Sequence, residues 1–352
     1  MSETIDPAKP LQVWLIDAGL PGHTIQVRAV GDIFVKKAGA ECHWIKAQLS
    51  VKGTLRSLTR RLVDRIPPAM APALGRWMYR GLQLPPGSPD LIISSSSHTA
   101  SLCRLLARMS GATSVFLGSI ASWRRSQWMD ILVVTAESDR PNALIAPLTQ
   151  TGQTAAKAAA AAAARWPDEV PANCWTMVIG GNGKNHEFEE HEWRALAKAM
   201  NQAARREGVR WLISTSRRTG ARNESILREI LDPALIAEAI WWASDPQKGL
   251  AAYIHAGQRV FVTRDSMTMI SEIIAVKGFV DVVHPALFKL KSEALEERYL
   301  ARLGRQGRLQ EHSVDKLLAS HPLPARTSIE EEQEAFENQL LSRITARRRK
   351  KT

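Results

Sequence analysis

The sequence predicts an α/β protein of two domains, each carrying a parallel sheet. Three observations predict it. Short apolar runs suited to buried strands alternate with longer stretches of helical periodicity. Several of those runs end in glycine-rich or serine-rich loops that lead straight into a helix, the order of a βαβ unit. An alanine-rich stretch separates two such series, in a chain of 352 residues that exceeds one typical core. The expected division is 1–150 for a first domain, 151–170 for a linker helix, 171–325 for a second domain and 326–352 for a C-terminal helix and basic tail.

The first domain opens with Val13 to Ile16 as a strand and a loop, Asp17-Ala18-Gly19-Leu20-Pro21-Gly22-His23. Thr24 caps the helix that follows, which runs to Gly39, and Glu41 to Ile45 return as a strand. His23 either satisfies a loop carbonyl or faces a cleft. Lys52 to Arg80 differ in character. Leu55, Leu58, Leu62 and Ile66 form an apolar stripe, with Arg56, Arg60, Arg61 and Arg65 off it and Trp77 and Arg80 beyond. A leucine stripe is ordinary core packing; a wholly cationic opposite face also suits a helix on anionic lipid. Asp90 to Ile93 is a strand that runs into Ser94-Ser95-Ser96-Ser97-His98-Thr99. Those hydroxyls either cap the next helix or hold an oxygen-rich ligand. Thr113 to Leu117 and Asp130 to Thr135 are further strands.

The alanine run at 155–164 reads as the connection. Met177 to Ile179 start the second sheet and end at Gly180-Gly181, followed by the polar loop Asn182, Gly183, Lys184, Asn185, His186. Trp211 to Ile213 form the next strand and lead into Ser214-Thr215-Ser216-Arg217-Arg218-Thr219. Ala239 to Trp242, Gln258 to Thr263 and Val280 to Val283 are further strands, the last of them closing the sheet. The cluster Arg264 to Glu272 opens a helix. Glu272 is either a solvated helix glutamate or a buried carboxylate that needs a partner, for which a ribose diol serves. Beyond Leu287 the chain reads as charged and helical, and its end, Arg347 to Lys351, as a solvated, disordered tail.

Composition narrows the function. A net charge of +12 calls for a phosphate-bearing partner or serves solubility. Three scattered cysteines and no cysteine–histidine cluster argue against a disulfide frame or a zinc site. The acidic N-terminus is unlike a signal peptide, and no apolar run approaches the roughly 20 residues of a membrane span. A cytoplasmic protein is expected, peripheral on the cytoplasmic face of an inner membrane. A nucleic-acid partner is not expected, because charge is its only support.

The glycine loop does not match the common nucleotide motifs. Val178 stands where a Walker A has its first glycine, Asn185 follows Lys184, and His186 stands at the third glycine of GxGxxG. What remains is a loop of small residues and free amides, with Lys184, Arg217 and Arg218 to hold a diphosphate without a metal. No cofactor is expected.

The segments Asp17–Gln26, Gly180–Lys184, Ser214–Thr219 and Thr263–Glu272 resemble the plant "elongated mitochondria" fission family and its bacterial homologues, which are assigned to the GT-B glycosyltransferases of the cell envelope. The resemblance spans roughly residues 10 to 320. It implies a GT-B-like frame of two Rossmann-like domains, their parallel sheets facing an interdomain cleft. On the donor side it implies Gly180, Gly181, Asn182, Lys184, Ser214, Ser216, Arg217, Arg218 and Thr219 for the nucleoside diphosphate. Asp265, Ser266, Met267, Thr268, Ser271 and Glu272 would hold sugar and ribose. Gly22, Gln26, Ser96 and Ser97 lie on the acceptor side, with His23 and His98 as candidate catalytic bases. Thr24-Ile25 stand where family members carry an asparagine before the glutamine. The activity so implied is metal-independent sugar transfer from a nucleotide-sugar to a lipopolysaccharide or lipid-linked acceptor. The alternative is a non-catalytic scaffold on the same frame, held to an anionic membrane.

Overall fold

The computed structural model describes residues 10–51, 63–119, 128–182, 187–286, 295–314 and 328–349. The leucine stripe at 55–62 with Arg56, Arg60 and Arg61, the loop residue Lys184, and Lys350 and Lys351 lie outside them. The chain divides into two compact units, Met1–Gly152 with Glu331–Thr352, and Gln153–Glu330.

The first unit runs β1 (Gln12–Asp17), α1 (Pro21–Ala38), β2 (Glu41–Lys46), β3 (Gln48–Leu49), α2 (Ala71–Met78), β4 (Tyr79–Arg80), β5 (Leu91–Ser95), α3 (Ala100–Ser110), β6 (Thr113–Leu117), β7 (Ile131–Val134) and β8 (Ala143–Ile145). Six strands make a parallel sheet in the order β2-β1-β5-β6-β7-β8, while β3 and β4 pair separately and antiparallel. β5, β6 and β7 are buried along their whole length. That is the pattern of a parallel sheet covered on both faces.

The second unit begins with α4 (Ala155–Arg165) and continues β9 (Cys174–Val178), α5 (Glu190–Glu207), β10 (Arg210–Ser214), α6 (Gly220–Ile230), β11 (Ile236–Ile240), α7 (Leu250–Ala256), β12 (Arg259–Thr263), α8 (Met267–Lys277), β13 (Val280–His284), α9 (Leu295–Arg305) and β14 (Leu309–Ser313). Its sheet is again parallel, in the order β11-β10-β9-β12-β13-β14. A last helix, α10 (Glu330–Arg349), belongs to the first unit over almost its whole length.

Four expectations are corrected. The alanine-rich helix is part of the second unit, not a linker. Ala158 and Ala162 are buried, Trp166 stacks on Tyr253 at 5.8 Å, and Arg165 pairs with Glu238. Val280–His284 does not end the sheet: β14 follows, hidden in the sequence because only Leu309 and His312 of its five residues turn inward. The basic end is not wholly a disordered tail: the expected C-terminal helix, α10, runs on through Arg349. Phe336, Leu340 and Ile344 join the apolar core of the first unit, and Arg347 pairs with Asp130. Helix α1 begins at Pro21 and not at Thr24, since proline is pre-set for a first helical position. Gly22 and His23 therefore sit in a first helical turn.

Candidate active site

A parallel sheet binds ligands where the strand order reverses, at the carboxyl ends of the two strands that flank the reversal. In the second unit these strands are β9 and β12. The residues that follow them are Gly180-Gly181 and Arg264-Asp265-Ser266. The residue pattern and the topology thus select the same place.

The loops there are bound tightly to one another. The Gly180 N–H donates to Thr263 Oγ1 at 2.7 Å, and the Thr263 hydroxyl donates to Asp265 Oδ1 at 2.6 Å. The Ser216 hydroxyl donates to the Gly180 carbonyl at 2.7 Å, and the Thr219 hydroxyl donates to the Ile179 carbonyl at 3.1 Å. Both glycines are required by close approach. A Cβ on Gly180 would collide with the Asp265 carboxylate, and one on Gly181, whose φ is 150°, with the Arg218 carbonyl. Ser214 accepts the Ile179 N–H on its main-chain oxygen. Asn182 closes the ends of its loop by exchanging hydrogen bonds with the Phe188 backbone.

The charges are arranged as follows. Arg217 is exposed and makes no ion pair or hydrogen bond with the described residues. Arg218 reaches across to Asp265, with an ion pair at 2.6 Å to Oδ2 and a hydrogen bond at 3.3 Å to its main-chain oxygen. The Asp265 side chain is only 1% exposed. Burial pushes its carboxyl above the usual range, against the pull of Arg218, the Thr263 hydroxyl and the Gly181 N–H. Ser266 caps α8 by accepting the Met269 N–H at 3.4 Å. Met267 and Thr268, half-buried, form the first turn with amides at the positive end of the helix dipole. Glu272 follows one turn further on. Burial alone pushes its carboxyl up to about 7, and it has no hydrogen-bond or ionic partner among the described residues.

Several expected ligand contacts are used inside the fold instead. Ser271 is buried, bonded to the Met267 carbonyl at 2.6 Å and to the Tyr299 hydroxyl at 2.8 Å. The side chains of Ser216, Thr219 and Asn182 hold loop to loop. Hydroxyls and amides in a loop satisfy the nearest backbone first, which residue type alone does not reveal.

Two features escaped the sequence reading. Arg264, 2% exposed, lies between Glu297 of α9 (2.7 and 2.8 Å) and Glu311 of β14 (2.9 Å), and so anchors the residue next to Asp265. Trp242, 38% exposed, stands past the end of β11 at the same sheet edge, its main-chain N–H donating to Thr215 Oγ1 at 2.8 Å. A pair of tryptophans at 241–242 flanking a strand was the available signal.

In the first unit the strand order reverses between β1 and β5. His23, at the start of α1, and Ser95, at the end of β5, meet there, Nδ1 to Oγ, at 2.7 Å. Burial, with His98 second, holds the His23 imidazole below its usual pKa. His98 itself is exposed, with its main-chain oxygen bonded by the Tyr79 hydroxyl at 2.7 Å. Ser96 adopts a positive φ of 81° and accepts the His98 N–H on its hydroxyl at 3.2 Å. Gly22 and Gln26 are half-buried on α1, and Ser97 is exposed. Arg65, Trp77 (53% exposed) and Arg80 lie on the surface, as does Met70. Among the described residues no group of three or more His, Cys, Asp and Glu side chains is arranged to hold a metal, and no helix is long and apolar enough to cross a membrane.

This architecture is found in solved enzymes of low identity. The UDP-GlcNAc 2-epimerase of Methanocaldococcus jannaschii has a TM-score of 0.55 at 10% identity, over 95% of this chain and 99% of that one. The same epimerase in complex with UDP-GlcNAc and UDP has a TM-score of 0.53 at 10% identity, over 95% and 99%. UGT89C1 of Arabidopsis thaliana, solved with quercetin, has a TM-score of 0.55 at 13% identity, over 96% and 100%. At that identity the likeness establishes the fold: an α/β chain of the GT-B kind, shared with glycosyltransferases and epimerases. No curated protein matches the chain in sequence. The family model described as Mitochondrial fission ELM1 matches residues 21–330, and the chain belongs to that family.

Proposed function

We propose that this protein is a glycosyltransferase that takes a sugar from a nucleotide-sugar and passes it, without a metal, to a lipopolysaccharide or lipid-linked acceptor of the cell envelope. The observation that carries the reading is Glu272: a half-buried carboxylate with no partner among the described residues, on the helix that starts at the switch point of the second sheet. Paired hydroxyls of a ribose satisfy such a group. Arg217 and Arg218, with Lys184, hold the diphosphate beside the Gly180–Gly181 turn and take up its charge as it departs. Asp265, Ser266, Met267 and Thr268 flank the sugar. Trp242 offers a flat face to the base. Two of the solved neighbours support the substrate class, since one is an epimerase of a UDP-sugar and was captured with UDP-GlcNAc and UDP. On the first unit Gly22, Gln26, Ser96 and Ser97 serve the acceptor, and His23, with His98 beside it, takes the proton. Arg65, Trp77 and Arg80, with Arg56, Arg60 and Arg61, hold the chain to the anionic cytoplasmic face of an inner membrane.

A second reading, a non-catalytic scaffold on the same frame, has one observation in its favour besides the family's description. The Asp265 carboxylate already fills the space over Gly180 and engages Arg218. Turnover separates the two. Incubation with UDP- and GDP-sugars and membrane extract should release nucleoside diphosphate under the transferase reading. Absence of release with every donor, from protein that binds the donors, would leave the scaffold.

A further inference from the structure

At the switch point of the first sheet the Ser95 hydroxyl stands between two partners. Its Oγ lies 2.7 Å from His23 Nδ1 and 3.2 Å from the Leu117 carbonyl oxygen. Ser95 is itself buried and pinned. It ends β5, it is in register with Leu117 on β6, and its carbonyl accepts the Thr99 hydroxyl. A hydroxyl has one proton to give and lone pairs to accept with, whereas a carbonyl only accepts. One arrangement satisfies both contacts: Ser95 donates to Leu117, and His23 donates from Nδ1 to Ser95. The reverse, with Ser95 donating to Nδ1, takes that donor away from a buried carbonyl, a loss of the kind folded proteins avoid.

We infer that Ser95 is a positioning residue that holds His23 as its Nδ1–H tautomer and so presents Nε2, on the far edge of the ring, as a proton acceptor. The inference rests on the reading of this unit as the acceptor side. Nε2 has no partner among the described residues. The acceptor O–H bond would break as an N–H bond forms at Nε2. The freed oxygen pair would form the bond to the anomeric carbon, and the diphosphate would leave with the electrons of the bond it held. Serine orients the ring but, unlike a carboxylate, brings no negative charge to steady the imidazolium. Burial and the neighbouring His98 act in the same direction and keep the ring neutral at rest.

Long-range proton–nitrogen NMR on the isotope-labelled full chain near pH 8 reads the tautomer directly, because the hydrogen bond made by one ring nitrogen decides which of the two carries the proton. The signals of His23 are identified by their loss in His23→Gln. The wild type should show a protonated Nδ1 and an acceptor Nε2. Ser95→Ala should shift the population to Nε2–H, and Ser95→Thr, which keeps the hydroxyl, should restore it. A wild-type Nε2–H form overturns the inference even if neither variant folds, and so does a tautomer unmoved in folded Ser95→Ala. Nucleoside-diphosphate affinity on the same samples tests the donor reading separately.

Discussion

Glu272 carries a carboxyl into α8 at a depth where nothing among the described residues meets its charge. Its pKa of about 7 lies above the ordinary value of about 4.3. Between those two values the folded chain holds a proton that the unfolded chain has released. Stability is therefore highest below the lower value and falls as pH rises through the window, by on the order of 2–3 kcal/mol. Glu272→Gln keeps the shape and removes the titration. Its melting temperature should lose less than that of the wild type between about pH 5 and 7; parallel curves for the two proteins would show that the carboxylate is already matched. Glu272 was legible in the sequence as a carboxylate one turn into a helix after a strand. What could not be read there is the fate of the hydroxyls around it. Ser216, Thr219 and Ser271 look as ligand-like as Ser266, but which backbone group or tyrosine each one meets is settled by packing across strands. The pairing of Ser95 with His23 spans 72 positions and left no local trace.

At the scale of elements, most strands of both sheets were legible as short apolar runs, while β8, three residues long at a sheet edge, and β14 were not. The exceptions follow a physical rule. β14 lies at a sheet edge and buries only Leu309 and His312 of its five residues, so its composition is polar. Helix α4 buries two alanine methyls, too slight a signal to show that it packs. α10 is dominated by charge, yet Phe336, Leu340 and Ile344 recur at helical spacing and fill the core of the first unit. Lys37 adds an ion pair to Glu337 at 3.3 Å. If this helix is part of the first unit's core, Leu340→Ala should behave as a core truncation and cost about 2–5 kcal/mol in denaturant melts. A loss below about 0.5 kcal/mol would mark it as a surface appendage.

At the scale of the molecule, two parallel sheets each reverse their strand order once, and each reversal gathers the side chains that the sequence offers for chemistry. The second unit collects small residues, hydroxyls and guanidiniums, and the first an imidazole beside a serine. The central claim is that the second unit grips a nucleoside diphosphate with Arg217 and Arg218 beside the Gly180–Gly181 turn. Isothermal calorimetry with UDP and GDP on the wild type and on Arg217→Ala/Arg218→Ala tests it most directly. Charge-assisted hydrogen bonds contribute roughly 1.5–3 kcal/mol each, so the double variant should bind at least about 100-fold more weakly while remaining folded, with a lowered melting temperature because Asp265 loses its partner. Equal affinity in wild type and variant would contradict the claim, and so would a wild type that binds neither nucleotide.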